Sequence, residues 1–536
     1  MSPARFHTPN IKQTSFETRG GLNLVAGAHS VAPGEAIQLI NYELDVDGYY
    51  RRIRGYERFD GQDRPSEYLP IGDFDDDAYT VDLQAGVAAR RALILPVPGE
   101  GRILGVVQYK GVVYAWRNDT GGASAKMWES TSSGWSEVVT GFTLNPDGEY
   151  EFDIANMDGA GSQGIRLYGC NGVDKEFIYD GTTFTQITTG SPSFAHLVKV
   201  FKNHLFLAHT NGSLQHSEIG LPESWGAGAA ELGISDEITN LSIPPGGAMV
   251  VESKNRVDVL YGTSKANWEL KEFSGKIGGK ARTAQIIGDV ISLDDVGITQ
   301  LKRVQSFGDF QSSSISAKIQ PIIDIKRNIV ASSSVLKNKN QYRVYFTDGT
   351  AITSTFKFNK TLGFSTLDFG TTVVRTIYSS EDSNGDDRTY FGSDDGYIYE
   401  MDVGTSFDGE EIEYVCRLSY TNIGSSEHYK RMVKATAFID VEDQTTINIV
   451  PDFNYASDDL PMQGATEFNL IGNGGYYGSA VFGKARFGTP YLSEAHIPLD
   501  ATALNVGFLF QSSQQWDAPH TIKSVTLHYY YRRRNR

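Results

Sequence analysis

The chain has 536 residues, a formal net charge of −17, 40% hydrophobic residues and 21% charged residues. This length is too great for one ordinary hydrophobic core, so roughly two to four domains are expected. The acidic balance argues against a dedicated duplex-binding protein, because such proteins are usually basic. Only Cys170 and Cys416 occur, which excludes a disulfide framework and a cysteine metal site.

Glycine and aromatic residues dominate the composition in a way that favours β structure. The chain holds 56 Gly, 28 Tyr and 28 Phe, and aromatic residues are enriched in strands while glycine is enriched in turns. The first residues lack the apolar region of an export signal, and no stretch approaches about 18 apolar residues. We therefore expect an all-β protein without a membrane span, made and assembled in a cytoplasm.

Residues 1–35 are weakly periodic and rich in Gly, Pro and Ala, which predicts an extended N-terminal arm. A turn signal at Asp45–Gly48 follows, and then a strand that alternates aromatic side chains with arginines. Four arginines lie around Gly55-Tyr56: Arg51, Arg52, Arg54 and Arg58. Two interpretations stay open, a solvated strand face over packed aromatics or a docking surface for an acidic partner subunit.

This segment also carries three short motifs. They are Asn41-Tyr42-Glu43, GYYRRI at Gly48–Ile53 and GYERFDG at Gly55–Gly61. Together they resemble the start of the tail-nozzle proteins of short-tailed bacteriophages, also described as tail tubular protein B or packaged-DNA stabilisation protein. HLFLA at 204–208 followed by LPESW at 221–225, and GSAVFG at 478–483, are similar to later parts of the same family.

The resemblance implies a structural virion protein that is not an enzyme and holds no cofactor. Such proteins contain a propeller and form a ring, expected here to be a homo-hexamer, below the portal and the tail adaptor ring. Tail fibres or a needle or plug protein would contact the ring, and phage genomic DNA would be retained and then pass non-specifically through its channel. The candidate contacts to the neighbouring subunit or the adaptor are Arg51, Arg52, Arg54, Tyr56 and Arg58.

Two acidic stretches are candidates for loops that line or gate such a channel, because carboxylates repel DNA and let it slide. The candidates are Asp73, Asp75, Asp76 and Asp77 in IGDFDDDAY, and Glu231, Asp236 and Glu237 in the Gly/Pro/Ala-rich segment 221–250. Segment 221–250 is predicted to be one long turn-rich insertion, where binding sites usually lie. A calcium loop at Asp73–Asp77 is a weaker alternative, since no Gly or Glu stands at EF-hand spacing.

Hairpins dominate the middle of the chain. Val81–Leu95 first predicts a helix that ends before Pro96, and hairpins follow from Gly101. The clearest is TYFGSDDGYIYEMD at 389–402, where Gly396 supplies a positive φ in the turn. Because propeller blades take about 40–50 residues and four strands each, residues 101–410 predict an irregular β-propeller with loop insertions and roughly six or seven blades.

Longer strands at residues 411–536 predict a C-terminal β-sandwich. Residues 1–100 are then the N-terminal arm and the contact region. The basic end, Arg532–Arg534 and Arg536, is either a disordered tail or a contact to a neighbour in the ring.

Catalytic and phosphate-binding patterns are absent from the sequence: it holds no G-x-S-x-G, H-E-x-x-H or C-x-x-C motif. GKIGGK at 275–280 is followed by Ala281 rather than Ser or Thr, so it predicts a flexible loop and not a phosphate loop. His204 and His209 fall on opposite faces of one strand, so the histidines at 196, 204, 209 and 216 are expected in the core or at the surface. The alternative function is a propeller-based carbohydrate-binding or glycan-degrading tail protein, because acidic residues are abundant and the sequence does not reveal the separation between two carboxylates that glycoside hydrolysis requires.

Overall fold

The computed structural model describes residues 11–27, 29–70, 77–157, 164–188, 194–226, 228–303, 310–382, 384–456, 463–471 and 492–534. Five short strands come first: β1 (Lys12–Glu17), β2 (Ala36–Ile40), β3 (Tyr42–Leu44), β4 (Tyr50–Arg52) and β5 (Tyr56–Phe59). A 3₁₀ turn at Pro65–Glu67 and helix α1 (Asp77–Leu93) follow. The helix predicted at Val81–Leu95 is confirmed, with an earlier start.

Antiparallel four-stranded blades then follow in chain order. Blade one is β6 (Glu100–Tyr109), β7 (Val112–Asn118), β8 (Ala125–Thr131) and β9 (Gly134–Val138). Blade two is β10 (Glu151–Asn156), β11 (Ile165–Cys170), β12 (Phe177–Tyr179) and β13 (Phe184–Gln186). Blade three is β14 (Leu197–Phe201), β15 (His204–Ala208), β16 (Ser213–His216) and β17 (Ala230–Gly233).

The next two blades have the same strand order. Blade four is β18 (Ile238–Ser242), β19 (Met249–Ser253), β20 (Val257–Tyr261) and β21 (Glu269–Ser274). Blade five is β22 (Gln285–Ile287), β23 (Asp289–Leu293), β24 (Ile298–Arg303) and β25 (Phe310–Ser314). A 3₁₀ turn (Ala317–Ile319) and helix α2 (Gln320–Lys326) lead out of blade five.

Of the last two blades, blade seven is completed by a strand from the N-terminal segment. Blade six is β26 (Val330–Leu336), β27 (Gln341–Phe346), β28 (Thr350–Lys357) and β29 (Lys360–Asp368). Blade seven is β30 (Thr376–Glu381), β31 (Asp387–Gly392) and β32 (Ile398–Met401), with β5 as its outermost strand. Tyr56 pairs with Met401, and β30 packs against β6 of blade one, so the ring of blades closes.

The hydrophobic core lies between neighbouring blades. Strands such as β7 are buried on both faces, as the apolar run Val112–Trp116 predicts. Trp116, Tyr150 and Phe177 pack between blades one and two, for example, and Val250, Val290 and Leu301 pack between blades four and five. Burial of apolar area on both faces of each small sheet therefore stabilises the ring as a whole.

The sandwich is built from β33 (Ile412–Leu418), β34 (His428–Val441), β35 (Gln444–Phe453), β36 (Thr466–Ile471), β37 (Leu492–Ala503), β38 (Val506–Gln514) and β39 (His520–Arg534). One sheet has the order β2-β33-β38-β35-β36 and the other β3-β4-β39-β34-β37, with β1 also paired to β39. Both sheets thus contain N-terminal strands. β2 also pairs in parallel with β29 at Ile40 and Thr366, so blade six continues into the first sheet.

The predicted fold class, a β-propeller with an extended arm and a C-terminal β-sandwich, is confirmed by this strand topology. The hairpin at 389–402 is also confirmed, with Gly396 at a φ of 84° between β31 and β32. The expectation of one long insertion at 221–250 is wrong. This segment contains β17 and β18, the outermost strand of blade three and the innermost strand of blade four.

Candidate functional site

The arginine segment predicted as a contact surface lies at the junction of propeller and sandwich. Arg52 is fully buried and donates hydrogen bonds to the carbonyl oxygens of Asp517, Gln514 and Thr405 at 2.6, 3.2 and 3.1 Å. Its guanidinium also lies over the Tyr414 ring, 5.2 Å from the centroid. Arg52 therefore ties β4 to loops of both parts of the chain.

Tyr56 is also buried, inside an aromatic cluster of blade seven. Its ring lies 5.0–6.0 Å from four other rings: Phe369, Phe391, Tyr399 and Phe407. The prediction that Arg52 and Tyr56 contact another subunit or the adaptor is therefore corrected, because neither side chain reaches the surface.

The three remaining arginines of this set are partly exposed and pair with carboxylates of the same chain. Arg51 and Arg54 both bind Glu442, and Arg54 does so at 3.2 Å. Arg58 Nε lies 2.6 Å from Asp408. Their predicted role in subunit contact stays a prediction.

A second ionic cluster at the same junction could not be located from the sequence. Arg343 on β27 lies 2.9 Å from Glu43 on β3 and 3.2 Å from Asp402, which follows β32. Lys339 binds the same two carboxylates at 3.0 and 2.8 Å. Burial alone would raise the pKa of Asp402, but Arg343 and Lys339 outweigh it and hold that pKa well below its usual range.

A close backbone contact explains one glycine of the GYERFDG motif. A Cβ atom added at Gly55 would lie 1.8 Å from the carbonyl oxygen of Ser406. Any other residue would therefore force apart the N-terminal segment and the chain that leaves blade seven. Together, Arg52, Gly55 and Arg343 define what we call the joint between propeller and sandwich.

The candidate channel loops fall in different places. Asp73, Asp75 and Asp76 lie outside the described residues, and Asp77 is the first residue of α1. Glu231 accepts a hydrogen bond from Ser213, Asp236 accepts one from the Asn255 backbone at 2.6 Å, and Glu237 pairs with Lys254. Whether these carboxylates line a channel between subunits stays a prediction.

The histidines of blade three belong to an aromatic core. The His204 and His216 rings lie 4.7 Å apart, and Trp268 Nε1 donates to His216 Nε2 at 3.0 Å. Burial lowers the pKa of His216. Within the described part of the chain, no group of three or more His, Cys, Asp or Glu side chains is placed to hold a metal ion.

The innermost strands of all seven blades surround a cavity on the propeller axis. Its volume is about 390 Å³. Each blade contributes to the lining, for example through Val106, Phe152, Lys199, Leu241, Ile286 and Tyr378. This volume is that of a small-molecule site, in the range of roughly 300–1,000 Å³.

Ion pairs cross one mouth of this cavity. Arg282, which leads into β22 of blade five, lies 2.9 Å from both Glu149 and Glu151 at the start of blade two. Arg102 of blade one binds the same Glu149 at 2.7 Å. Blades two and five are not neighbours in the ring, so the Arg282 side chain spans the opening.

A buried acid pair lies between blades four and five. Glu252 is fully buried and accepts a hydrogen bond from Asn240 at 3.0 Å. Burial, with a smaller contribution from the nearby Asp294 carboxylate, raises the pKa of Glu252 to about 7. The pKa of Asp294 is also raised by burial.

The described residues contain no helix that is both long enough and apolar enough to cross a bilayer. The chain matches no protein-family model and no curated protein. Among solved structures it is similar to a computationally designed protein, Ika8, at 13% identity and a TM-score of 0.34, over 58% of this chain and 98% of that chain. It is also similar to streptogramin B lyase, at 14% identity and a TM-score of 0.39, over 57% of this chain and 95% of that chain.

A further likeness is to the WD40 β-propeller domain of Doa1, at 12% identity and a TM-score of 0.38, over 57% of this chain and 94% of that chain. These likenesses are faint and say nothing about activity. The sheet order of the chain itself defines its architecture, a ring of seven blades joined to a β-sandwich.

Proposed function

We propose that this chain is a structural subunit of the tail nozzle of a short-tailed bacteriophage. Copies of the chain assemble as a homo-hexameric ring in the virion, below the adaptor ring, and the ring contacts tail fibres or a needle or plug protein. The ring retains packaged DNA and lets it pass at ejection. The role is mechanical and electrostatic, without an enzymatic step.

The three N-terminal motifs that resemble the nozzle family lie where the propeller meets the sandwich, and this position supports the proposal most strongly. Residues 41–61, which hold all three N-terminal motifs, contribute Arg52 and Gly55 to the joint: β3 and β4 enter the sandwich, and β5 closes blade seven. Arg52 is buried against both parts, and Gly55 permits their close approach. A joint of this kind makes propeller and sandwich one stiff body, as the wall of a tube under load requires.

The size of the propeller cavity indicates which channel DNA would use. A cavity of about 390 Å³, crossed at one mouth by Arg282, is of small-molecule size. A DNA duplex therefore has to pass through the lumen enclosed by the ring of subunits and not along the propeller axis. The net charge of −17 suits such a lumen, because an acidic wall offers DNA few contacts that release counterions.

The first test is location and copy number. We expect gold-labelled antibodies against the chain to bind at the tail tip of the phage that encodes it. Analytical ultracentrifugation of the chain extracted from virions should give a mass six times that of the monomer. Label on the capsid or on the host cell, or a monomer under all conditions, contradicts the proposal.

The second test uses the arginines that remain at the surface. Arg51→Glu combined with Arg54→Glu should prevent incorporation into tails, if these side chains contact an acidic neighbour. The matched control is Arg431→Glu, which breaks a comparable partly exposed pair between Arg431 on β34 and Asp500 on β37. Both variants should keep the wild-type melting temperature, and normal incorporation of the double variant contradicts the contact assignment.

The third test addresses the acidic loops. Asp236→Asn and Glu237→Gln together should slow genome release if these carboxylates face the lumen, because DNA would no longer be repelled. Glu467→Gln, a change at an exposed position of the sandwich, is the control. An unchanged release rate in the double variant contradicts a lumen position for these residues.

A further inference from the structure

The positively charged side chains that line the cavity on the propeller axis are paired with carboxylates of the same chain. Each of the four cations on its wall has a carboxylate partner at 2.7–2.9 Å. These pairs are Lys199–Asp153, Arg282–Glu151, Lys337–Glu381 and Arg375–Asp394. An anionic ligand would have to displace these carboxylates, so the wall disfavours an anion.

The wall also has a large capacity for hydrogen bonds. Every innermost strand pairs with a neighbour on one side only, so the backbone groups of its other edge face the cavity. Hydroxyl side chains on the lining, such as those of Ser242 and Thr376, add donors and acceptors, whereas Gln285 and Ser379 already hydrogen-bond Ser333 and Thr389. Buried backbone polar groups require partners, and a ligand with many hydroxyl groups can supply them.

Apolar side chains lie between these polar groups. Ile286 on β22 is 36% exposed, although it belongs to an innermost strand. Leu241, Ile377 and Tyr378 also line the cavity. Aliphatic and aromatic surface next to many hydrogen-bonding groups matches a sugar, whose C–H faces are apolar and whose rim carries hydroxyls.

Among the described residues, an ion-pair bridge between blades that are not neighbours spans one mouth of the cavity. Arg282, Glu149 and Arg102 cross the mouth at which the innermost strands begin. Lys337, at the end of β26, lies at the opposite mouth with 72% of its side chain exposed. A ligand would therefore enter at the mouth where Lys337 lies. The ion pairs of Arg282 with Glu149 and Glu151 obstruct the other mouth.

We propose that this cavity is a binding site for a short neutral saccharide. The site binds without cleaving, and its ligand is recognised by hydroxyl groups and apolar ring faces rather than by charge. This inference is independent of the ring, since all the lining residues belong to one chain. Carbohydrate binding is the alternative function that the sequence indicates, and this cavity is the place in the fold where we propose that it occurs.

The test is binding to the purified full-length chain. Saturation-transfer NMR and calorimetry would be run with glucose, galactose and N-acetylglucosamine, with glucuronate and inorganic phosphate as charged probes. We expect saturable binding of at least one neutral sugar, with a dissociation constant of about 1 mM or tighter. The charged probes should bind at least tenfold more weakly.

A filled cavity provides the specific control. Ile286→Trp places a large side chain at an exposed position of the wall and should abolish binding. Val139→Trp makes a similar change outside the cavity, at a residue that is 82% exposed, and should leave binding intact. Melting temperatures of both variants show that the fold is kept, and if Ile286→Trp does not fold, Leu241→Phe is the substitute.

Each contrary outcome overturns a stated part of the proposal. If none of the neutral sugars binds, the saccharide site does not exist. If binding survives in folded Ile286→Trp, the site lies elsewhere. If glucuronate or phosphate binds as tightly as the sugars, the assigned ligand class is wrong.

Discussion

Glu252 shows how a single buried group sets the pH response of the propeller. The carboxyl is fully buried between blades four and five, and burial raises its pKa from 4.5 to about 7. Between these two values the unfolded chain has lost the proton while the folded chain still holds it. The free energy of unfolding therefore falls as pH rises through this window, by up to about 3 kcal/mol.

Glu252→Gln should remove this loss, because the amide has the same shape and no charge to bury. We expect the variant to melt at a higher temperature than wild type at about pH 8 and at a similar temperature near pH 4.5. Thermal unfolding followed by circular dichroism across this range measures the difference. Glu467→Gln at an exposed position is the control and should show no such trend, and a variant less stable at about pH 8 would contradict the assignment.

Arg52 and Arg51 are neighbours in sequence with opposite environments. Arg52 is fully buried and serves three backbone carbonyls, whereas Arg51 makes a partly exposed ion pair with Glu442. Arg52→Met leaves these carbonyls without donors and should lower the free energy of unfolding by about 2–4 kcal/mol. Arg51→Met should change it by less than about 1 kcal/mol. Urea titration measures both, and equal effects would show that Arg52 does not hold the joint.

At the scale of elements, β5 closes the ring from the N-terminal side. Tyr56 pairs with Met401 and packs among four aromatic rings of blades six and seven. Tyr56→Ala should cost about 3–5 kcal/mol, as for other large aromatic side chains in cores. Because the damage is local, amides of β30–β32 should lose protection in hydrogen exchange first, while those of β14–β17 keep theirs.

Phe358→Ala is the matched control for Tyr56→Ala. Phe358 lies in the β28–β29 turn and is 91% exposed, so its loss should change neither stability nor protection. If Tyr56→Ala loses hydrogen-exchange protection equally in all blades, then the packing of β5 does not stabilise blade seven in particular.

The elements differ in how far the sequence predicts them. Hairpins with Gly turns and alternating apolar residues, such as 389–402, are local patterns and are predicted well. The partner of β5 is separated from it by more than half of the chain, and a four-residue strand carries no signal of such pairing. β17 (AELG) escapes prediction because Ala and Gly have low strand propensity and pairing with β16 overrides it, while β18 (ITNLS) is a short strand between turn-rich segments that pairs with β19.

The contacts of Arg52 and Arg343 are predicted less well than the hairpins, because they too join residues that are far apart in the sequence. Charge patterns around Arg52 suggest a surface, but pairing of β4 with β39 buries that side chain. Arg343 stands in QYRVYF, a strand buried on both faces, which indicates that the arginine needs an internal partner. The identity of that partner, Glu43, depends on contacts 300 residues apart that no local pattern encodes.

For the whole molecule, the joint decides whether propeller and sandwich unfold together. Arg343 and Lys339 bind Glu43 of the N-terminal segment and Asp402 at the end of blade seven. Arg343→Met leaves two buried carboxylates with one cation and should destabilise the protein by about 3–5 kcal/mol. We expect one calorimetric transition for the wild type and two for Arg343→Met, since the two parts of the variant lose the ion pairs that connect them.

Two further variants separate the charge effect from packing. Adding Glu43→Gln and Asp402→Asn to Arg343→Met removes the stranded carboxylates and should restore most of the stability, because a buried ion cluster and its neutral replacement are often comparable. Arg327→Met is the control: it removes a partly exposed arginine just after α2 that lies 3.9 Å from Asp324 and donates a hydrogen bond to the Asp295 carbonyl oxygen, and it should change the free energy of unfolding by less than about 1 kcal/mol. If Arg343→Met still melts in a single transition at the wild-type temperature, propeller and sandwich are coupled by their shared strands alone and the ionic joint contributes nothing to their cooperativity.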